Sequence, residues 1–212
     1  MLKNSGLRRA CLYSLPPHLL GYCGPQDKKK SSLLLDFVNG KKKDENKVRD
    51  ILDKEFIVSG YYRMLAKVYK LDLFDEKIVE AHWIGNKLLD KFFKAGKITP
   101  YHLYHVLAIG SVTGRIKFDD LKRNQCRISW GKIIKQKPTT VEYQPLERKN
   151  KDFVLGRPVV KKVNWNKDFV PELKIGNLVS LHWDTIVEVL TEKETKMLQD
   201  YTRLTLITLC MI

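Results

Sequence analysis

The sequence predicts an α+β chain: a helical N-terminal domain, then a small OB-like β-barrel that closes with a C-terminal helix. Three observations predict it. Apolar residues recur at helical spacing from Asp44 to about Gly110. After Arg123, β-branched and aromatic residues come in short runs separated by Pro, Gly, Asn and Lys. From Thr191 helical spacing returns, behind a Thr191–Glu194 pair with capping-box spacing. The 212 residues suit two small domains, a helical one over 1–122 of unassigned function and a barrel-plus-helix over 123–212.

Taken in order, the N-terminus mixes basic and apolar residues as an export signal does. Pro16, Pro17 and His18 interrupt it before an apolar core of the signal can form. Two lysine triplets, 28–30 and 41–43, flank the apolar stretch Leu33–Val38 and read as solvated loop ends. Val48, Ile51, Leu52, Phe56, Ser59, Tyr62, Leu65, Val68 and Tyr69 form one helical stripe whose weak point is Gly60. A second helix is predicted over Asp75–Phe93, with Asp75 and Glu76 at the positive end of its dipole. Thr99 as N-cap and Pro100 as first helical residue start a short helix through His105. Residues 115–125 read as a hinge. Beyond them Ile128, Ile133, Val141, Tyr143, Phe153, Val159, Val163 and Leu178 mark four to five short strands.

Composition limits the function classes. Lys and Arg number 39 against 24 Asp and Glu, a formal net charge of +15 that favours an anionic partner. Most of that excess precedes residue 125, in the helical part, so it says little about the strand region. No run approaches the ~18 apolar residues of a spanning helix, which predicts no membrane span. The apolar C-terminal run Leu204–Ile212 is expected to pack as part of a final helix. Cys11, Cys23, Cys126 and Cys210 show neither paired nor CxxC spacing, which argues against a disulfide framework and for a reducing, cytoplasmic setting.

Two segments carry the most specific chemistry. In the first, Cys126 precedes Gly131 by five residues, and Ile133-Ile134 follow. In the second, Gly176-Asn177-Leu178-Val179-Ser180-Leu181 leads to His182, and an acidic, capped helix start follows at Thr191–Glu194. Over roughly residues 125–207 this pattern resembles the HypC/HupF-type hydrogenase maturation chaperones. The resemblance implies a small β-barrel with a C-terminal helix, not an enzyme. It further implies binding to the precursor of a hydrogenase large subunit or to another maturation protein. In this reading Cys126 and His182 hold iron as an iron–cyanide–carbonyl fragment. A thiolate is a soft, strongly donating ligand, and a neutral imidazole supplies a second ligand or a hydrogen bond. Handing such a fragment on requires the pair to lie within several ångströms of each other and within reach of solvent. The alternatives are a buried small hydrophobe for Cys126 and a core strand residue for His182. Lys132, Lys135, Lys161 and Lys162 would face an acidic partner or the anionic fragment.

The helical part contributes three motifs: Tyr22-Cys23-Gly24-Pro25, His82-Trp83-Ile84-Gly85-Asn86 and Pro100-Tyr101-His102-Leu103-Tyr104-His105. On these it looks like a family of uncharacterised prokaryotic proteins, which implies no activity. His102 and His105, three apart on a short helix, could share a metal with a third ligand, and Cys23 and His82 are further candidates. Separately, the same residues read as a turn cysteine and core histidines. Two other functions stay open. Trp130, Tyr143, Phe153 and Trp165, interleaved with lysines, would suit a single-stranded nucleic-acid binder. Cys23 or the His102/His105 pair would suit a thiol- or metal-dependent enzyme.

Overall fold

A computed structural model describes residues 6–41, 44–96 and 98–210. The chain divides into two compact units. One runs up to Tyr101 and includes Ser111–Lys117; the other combines His102–Gly110 with everything from Phe118 onward.

The first unit is helical: α1 (Gly6–Leu19), α2 (Lys28–Val38), α3 (Glu45–Glu55), α4 (Val58–Tyr69), α5 (Glu76–Trp83), a 3₁₀ turn (Lys87–Leu89) and α6 (Asp90–Lys94). The segment that resembles an export signal is its central helix. Ala10, Cys11, Tyr13 and Leu15 of α1 have no solvent exposure, and Pro16 and Pro17 fall in its last turn. α1 packs chiefly on α5 and α2. Gly6 allows the closest approach, since a Cβ there would lie 2.1 Å from the Phe74 carbonyl oxygen. Lys28–Lys30 are not a loop end: they form the first turn of α2, whose amides at Lys29 and Lys30 are capped by Asp27. Lysines disfavour that end of a helix dipole, and Lys30 is offset by Glu55 at 2.8 Å. In the other triplet Lys41 pairs with Asp36, while Lys42 and Lys43 lie outside the described residues.

Both long predicted helices are broken. The stripe from Val48 to Tyr69 becomes α3 and α4, which meet at Phe56-Ile57 rather than at Gly60. The apolar period continues across this break because both helices face the same core, so periodicity alone does not reveal it. The span Asp75–Phe93 breaks at Gly85, whose φ of 95° lies in the left-handed region, and Asn86 caps the 3₁₀ turn that follows. Asp75 does cap α5, accepting from Lys77 N.

In the second unit α7 (His102–Tyr104) continues as a π-helical turn (His105–Ile109). The helix thus begins two residues after the predicted Pro100. The stretch read as a hinge holds α8 (Asp120–Cys126), capped by Asp119 through Lys122 N. Seven strands follow: β1 (Ser129–Gln136), β2 (Thr139–Tyr143), β3 (Leu146–Lys149), β4 (Asp152–Leu155), β5 (Val159–Lys162), β6 (Leu178–His182) and β7 (Thr185–Leu190). Five form an antiparallel sheet in the order β5-β2-β1-β6-β7, and β3 pairs with β4 in a separate hairpin. The predicted barrel is not closed. Among the described residues its two edges meet only at one bridge, Asn164 to Thr185, which leaves an open sheet. The β3 sequence Leu-Glu-Arg-Lys has no apolar alternation, and the sequence reading misses it. Ile133, Val141, Val179, Ile186 and Val187 have no exposure, and α9 (Glu192–Cys210), whose Leu198 is equally buried, packs on β1, β4, β6 and β7.

The capping box stands as predicted: Glu194 N donates to Thr191 Oγ1 at 3.1 Å and Thr191 N to Glu194 Oε2 at 2.9 Å. Leu206 of the terminal run is buried, whereas Leu204 and Ile207 are exposed. Met211 and Ile212 lie outside the described residues. No described helix is long and apolar enough to cross a membrane.

The Tyr22–Pro25 motif is a turn that closes α1. Gly24 has φ +70°, and a Cβ would meet the Phe56 ring at 2.4 Å. A side chain here meets both left-handed strain, ~1–2 kcal/mol, and overpacking, ~1–3 kcal/mol. Gly24→Ala is therefore expected to destabilise the protein by about 2–5 kcal/mol in urea unfolding, with secondary structure retained in the absence of urea. His18 packs against Phe56 and bonds the Cys23 carbonyl and Ser31 Oγ. Burial lowers its pKa below 6.5, outweighing the Cys23 carbonyl, which raises it. The unfolded chain therefore binds the proton first as pH falls, so this contribution is complete above about pH 6.5 and declines below it. Urea midpoints between pH 7.5 and 5 should fall less steeply in His18→Asn than in the parent.

Candidate metal centre

His102, Cys126 and His182 come together in the second unit. One donor atom from each lies within 4.8 Å of the others, and all three residues are buried. His102 sits in α7, Cys126 is the last residue of α8, and His182 ends β6. His102 Nε2 is 3.8 Å from Cys126 Sγ and 2.9 Å from the Cys126 carbonyl oxygen. The His182 ring meets His102 edge-on, with centroids 5.2 Å apart.

The residues beside two of these donors hold them in place. Trp183 N donates to the Gln125 carbonyl at 2.7 Å, and Gln125 Nε2 to Asp184 Oδ2 at 2.9 Å. The residues preceding Cys126 and following His182 are therefore bonded to each other. Trp183 and Asp184 form the two-residue β6–β7 turn with φ of 51° and 58°, the left-handed pair of a type I′ hairpin. Trp183 is not the Gly, Asn or Asp that such turns prefer, so its bond to Gln125 holds a strained conformation, while Asp184 suits the turn and pairs with Lys161. Gly131, five residues after Cys126, lets β2 lie close: a Cβ would be 3.2 Å from the Glu142 carbonyl oxygen.

Bonds of about 2.0–2.3 Å to a tetrahedral ion place N and S donors roughly 3.3–3.8 Å apart. The Nε2–Sγ distance already fits, and adjustment within the 4.8 Å limit brings in the rest. An ion would replace the proton that Nε2 otherwise shares with the Cys126 carbonyl. Access is the departure from expectation. Cys126 is 6% exposed and His182 1%, so the pair is adjacent but does not face solvent. Sequence reasoning named all three donors but grouped His102 with His105 and Cys23. What it missed was the pairing of His102 with the strand region, since a contact 24 residues apart leaves no local spacing signal.

The remaining candidates lie elsewhere. His105 is outside the three-residue group; it stacks on His102 at 6.2 Å, and burial lowers its pKa to about 4, which keeps it neutral. Cys23 and His82 belong to the other unit. Burial raises the Cys23 thiol to about 11 despite Arg115, the reverse of an activated nucleophile. His82 is fully buried, bonded to the Pro100 carbonyl and packed on Trp83, Tyr61 and Tyr62. Trp83 in turn donates to Tyr62 Oη, so the His-Trp motif is a core aromatic cluster. Of the four aromatics that would stack nucleobases, Trp130 and Tyr143 are buried, and Trp165 is tied to the Val170 carbonyl. Lys161 is engaged by Asp184, whereas Lys132, Lys135 and Lys162 are exposed.

No curated protein and no solved structure matches the chain. A family model does, over residues 2–98 and 93–210, and it gives the resemblance to hydrogenase maturation chaperones no support. The chain belongs to that family, the family of unknown function DUF6390.

Proposed function

We propose that the second unit is a metal-binding module, not an enzyme, in which His102, Cys126 and His182 hold one transition-metal ion. One observation carries this reading: three metal-type donors from α7, α8 and β6 converge within 4.8 Å in the interior. Burying two imidazoles and a thiol side by side gains little hydrophobic stabilisation, whereas an ion draws all three together. Two nitrogens and a thiolate suit Zn(II) or Fe(II). Three protein donors leave a coordination position for a small exogenous ligand.

The same Cys126/His182 pair is the one the chaperone resemblance assigns to iron. Its burial favours retention of an ion over hand-off of an iron–cyanide–carbonyl fragment from an open surface. A role in metalloenzyme assembly therefore rests on this unit holding metal while it binds a precursor or another maturation protein.

Protein refolded with one equivalent of Co(II) should develop the near-ultraviolet thiolate charge-transfer band and the visible bands of a low-symmetry site. Cys126→Ser should abolish the charge-transfer band, His102→Asn and His182→Asn should weaken binding at least tenfold, and His105→Asn should leave the spectrum unchanged. Absence of a thiolate band in folded parent protein would refute the assignment. Binding also links to stability. With free Zn(II) at a hundred times Kd the native state gains about 2.7 kcal/mol, so a chelator should lower the thermal midpoint of the parent and leave that of Cys126→Ser unmoved.

A further inference from the structure

A second site lies in the same unit, built from residues the metal centre does not use. A cavity of about 440 Å³ opens between the π-helical turn, the β3–β4 hairpin and the end of α9. That volume falls within the ~300–1,000 Å³ of small-molecule sites. Its apolar wall comes from Leu107 and Ala108 of the turn and from Leu206 and Leu209, which share one face of α9. Arg123, Arg148 and Lys151 bring positive charge to the same space.

These cations are not equivalent. Arg148 is neutralised by a two-pronged contact with Asp120, 2.8 Å at each oxygen, and lies over the Phe153 ring. Arg123 and Lys151 have no carboxylate within ion-pair distance among the described residues, although Asp120 acts on Arg123 from farther away. Arg123 is nonetheless fixed in place. Its guanidinium stands 5.9 Å from both the Phe118 and Phe153 rings, and its described hydrogen bond goes from NH1 to the Phe118 carbonyl. Most of its donors thus have no protein acceptor, and an arginine fixed beside two rings is pre-organised for a carboxylate. Asp152, the acidic residue in the lining, is hydrogen-bonded by the Cys210 thiol and sets a negative charge against any dianion.

We propose that this cavity binds a small amphipathic monocarboxylate, with Arg123 and Lys151 receiving the carboxyl group and the wall of Leu107, Leu206 and Leu209 receiving the chain. Cations without an ion-pair partner beside an apolar wall call for a ligand that carries both properties. A phosphate or nucleotide matches the cations but not the leucines, and it would bring a second negative charge towards Asp152.

Isothermal titration of the full chain with decanoate, 1-decanol and acetate tests this. Decanoate should bind saturably at one site, with decanol and acetate each at least tenfold weaker. Lys151→Gln lies in an exposed turn and should leave folding intact. It should weaken decanoate about tenfold or more, as should Arg123→Gln, while Lys193→Gln on the exposed start of α9 has no effect. The Cys126→Ser variant should bind decanoate as the parent does, which separates this site from the metal centre. Equal binding of decanol, unchanged affinity in Lys151→Gln, or displacement of decanoate by inorganic phosphate at lower concentration would each overturn the proposal. The last of these would identify a polyanion site.

Discussion

The second unit depends on the C-terminal end of α8, where four consecutive residues each tie a different segment. Asn124 accepts from Leu146 N at 2.7 Å and donates to the Tyr143 hydroxyl, which joins β2 and β3 to the helix. Gln125 holds the β6–β7 turn through its carbonyl and its side-chain amide. Cys126 receives His102 at its carbonyl and presents its sulfur to the same ring. Arg127, 1% exposed, donates to the Gln144 carbonyl and lies over Trp130. Buried polar groups are costly unless bonded, so these contacts fix the helix end in one register against the sheet.

That register explains why three donors separated by as many as 80 residues share a site. Because Gln125 and Trp183 are bonded, Cys126 and His182 must lie side by side, and the left-handed conformation of Trp183 is retained at the cost of strain. Strain of this kind gathers where a function needs an exact placement. The π-helical turn after His102 belongs to the same region, and such turns often accompany functional sites. It serves two purposes here: it extends α7, which carries His102, and its middle, Leu107 and Ala108, forms one wall of the cavity that Arg123 lines.

The first unit has another character. Its conspicuous motifs, Tyr22–Pro25 and His82–Asn86, are accounted for by packing and chain geometry. Gly24 passes over Phe56, His82 anchors to Pro100, Gly85 breaks the chain after α5 and Asn86 caps the next turn. Raised thiols at Cys11 and Cys23 accord with structural roles. The positive charge concentrated in this part is answered in places by local carboxylates, as at Lys30–Glu55, Arg49–Asp72 and Arg63–Asp53.

Local patterns determined much of this protein: the α+β class, the Thr191–Glu194 box, the strands around Ile133, Val141 and Val179, and the identity of Cys126, His182 and His102 as donors. Each follows from short-range periodicity, capping chemistry or residue type, all written within a few neighbouring positions; for Cys126, His182 and His102 residue type makes them candidate donors. Tertiary structure alone decided that the helical stripe breaks at Phe56-Ile57, that α1 is buried, and that the sheet stays open. It also decided that His102 joins Cys126 and His182 rather than Cys23, and that Arg123 and Lys151 share a cavity. These outcomes rest on contacts between distant segments, where burial and hydrogen-bond satisfaction override local preference and leave no mark on nearby spacing.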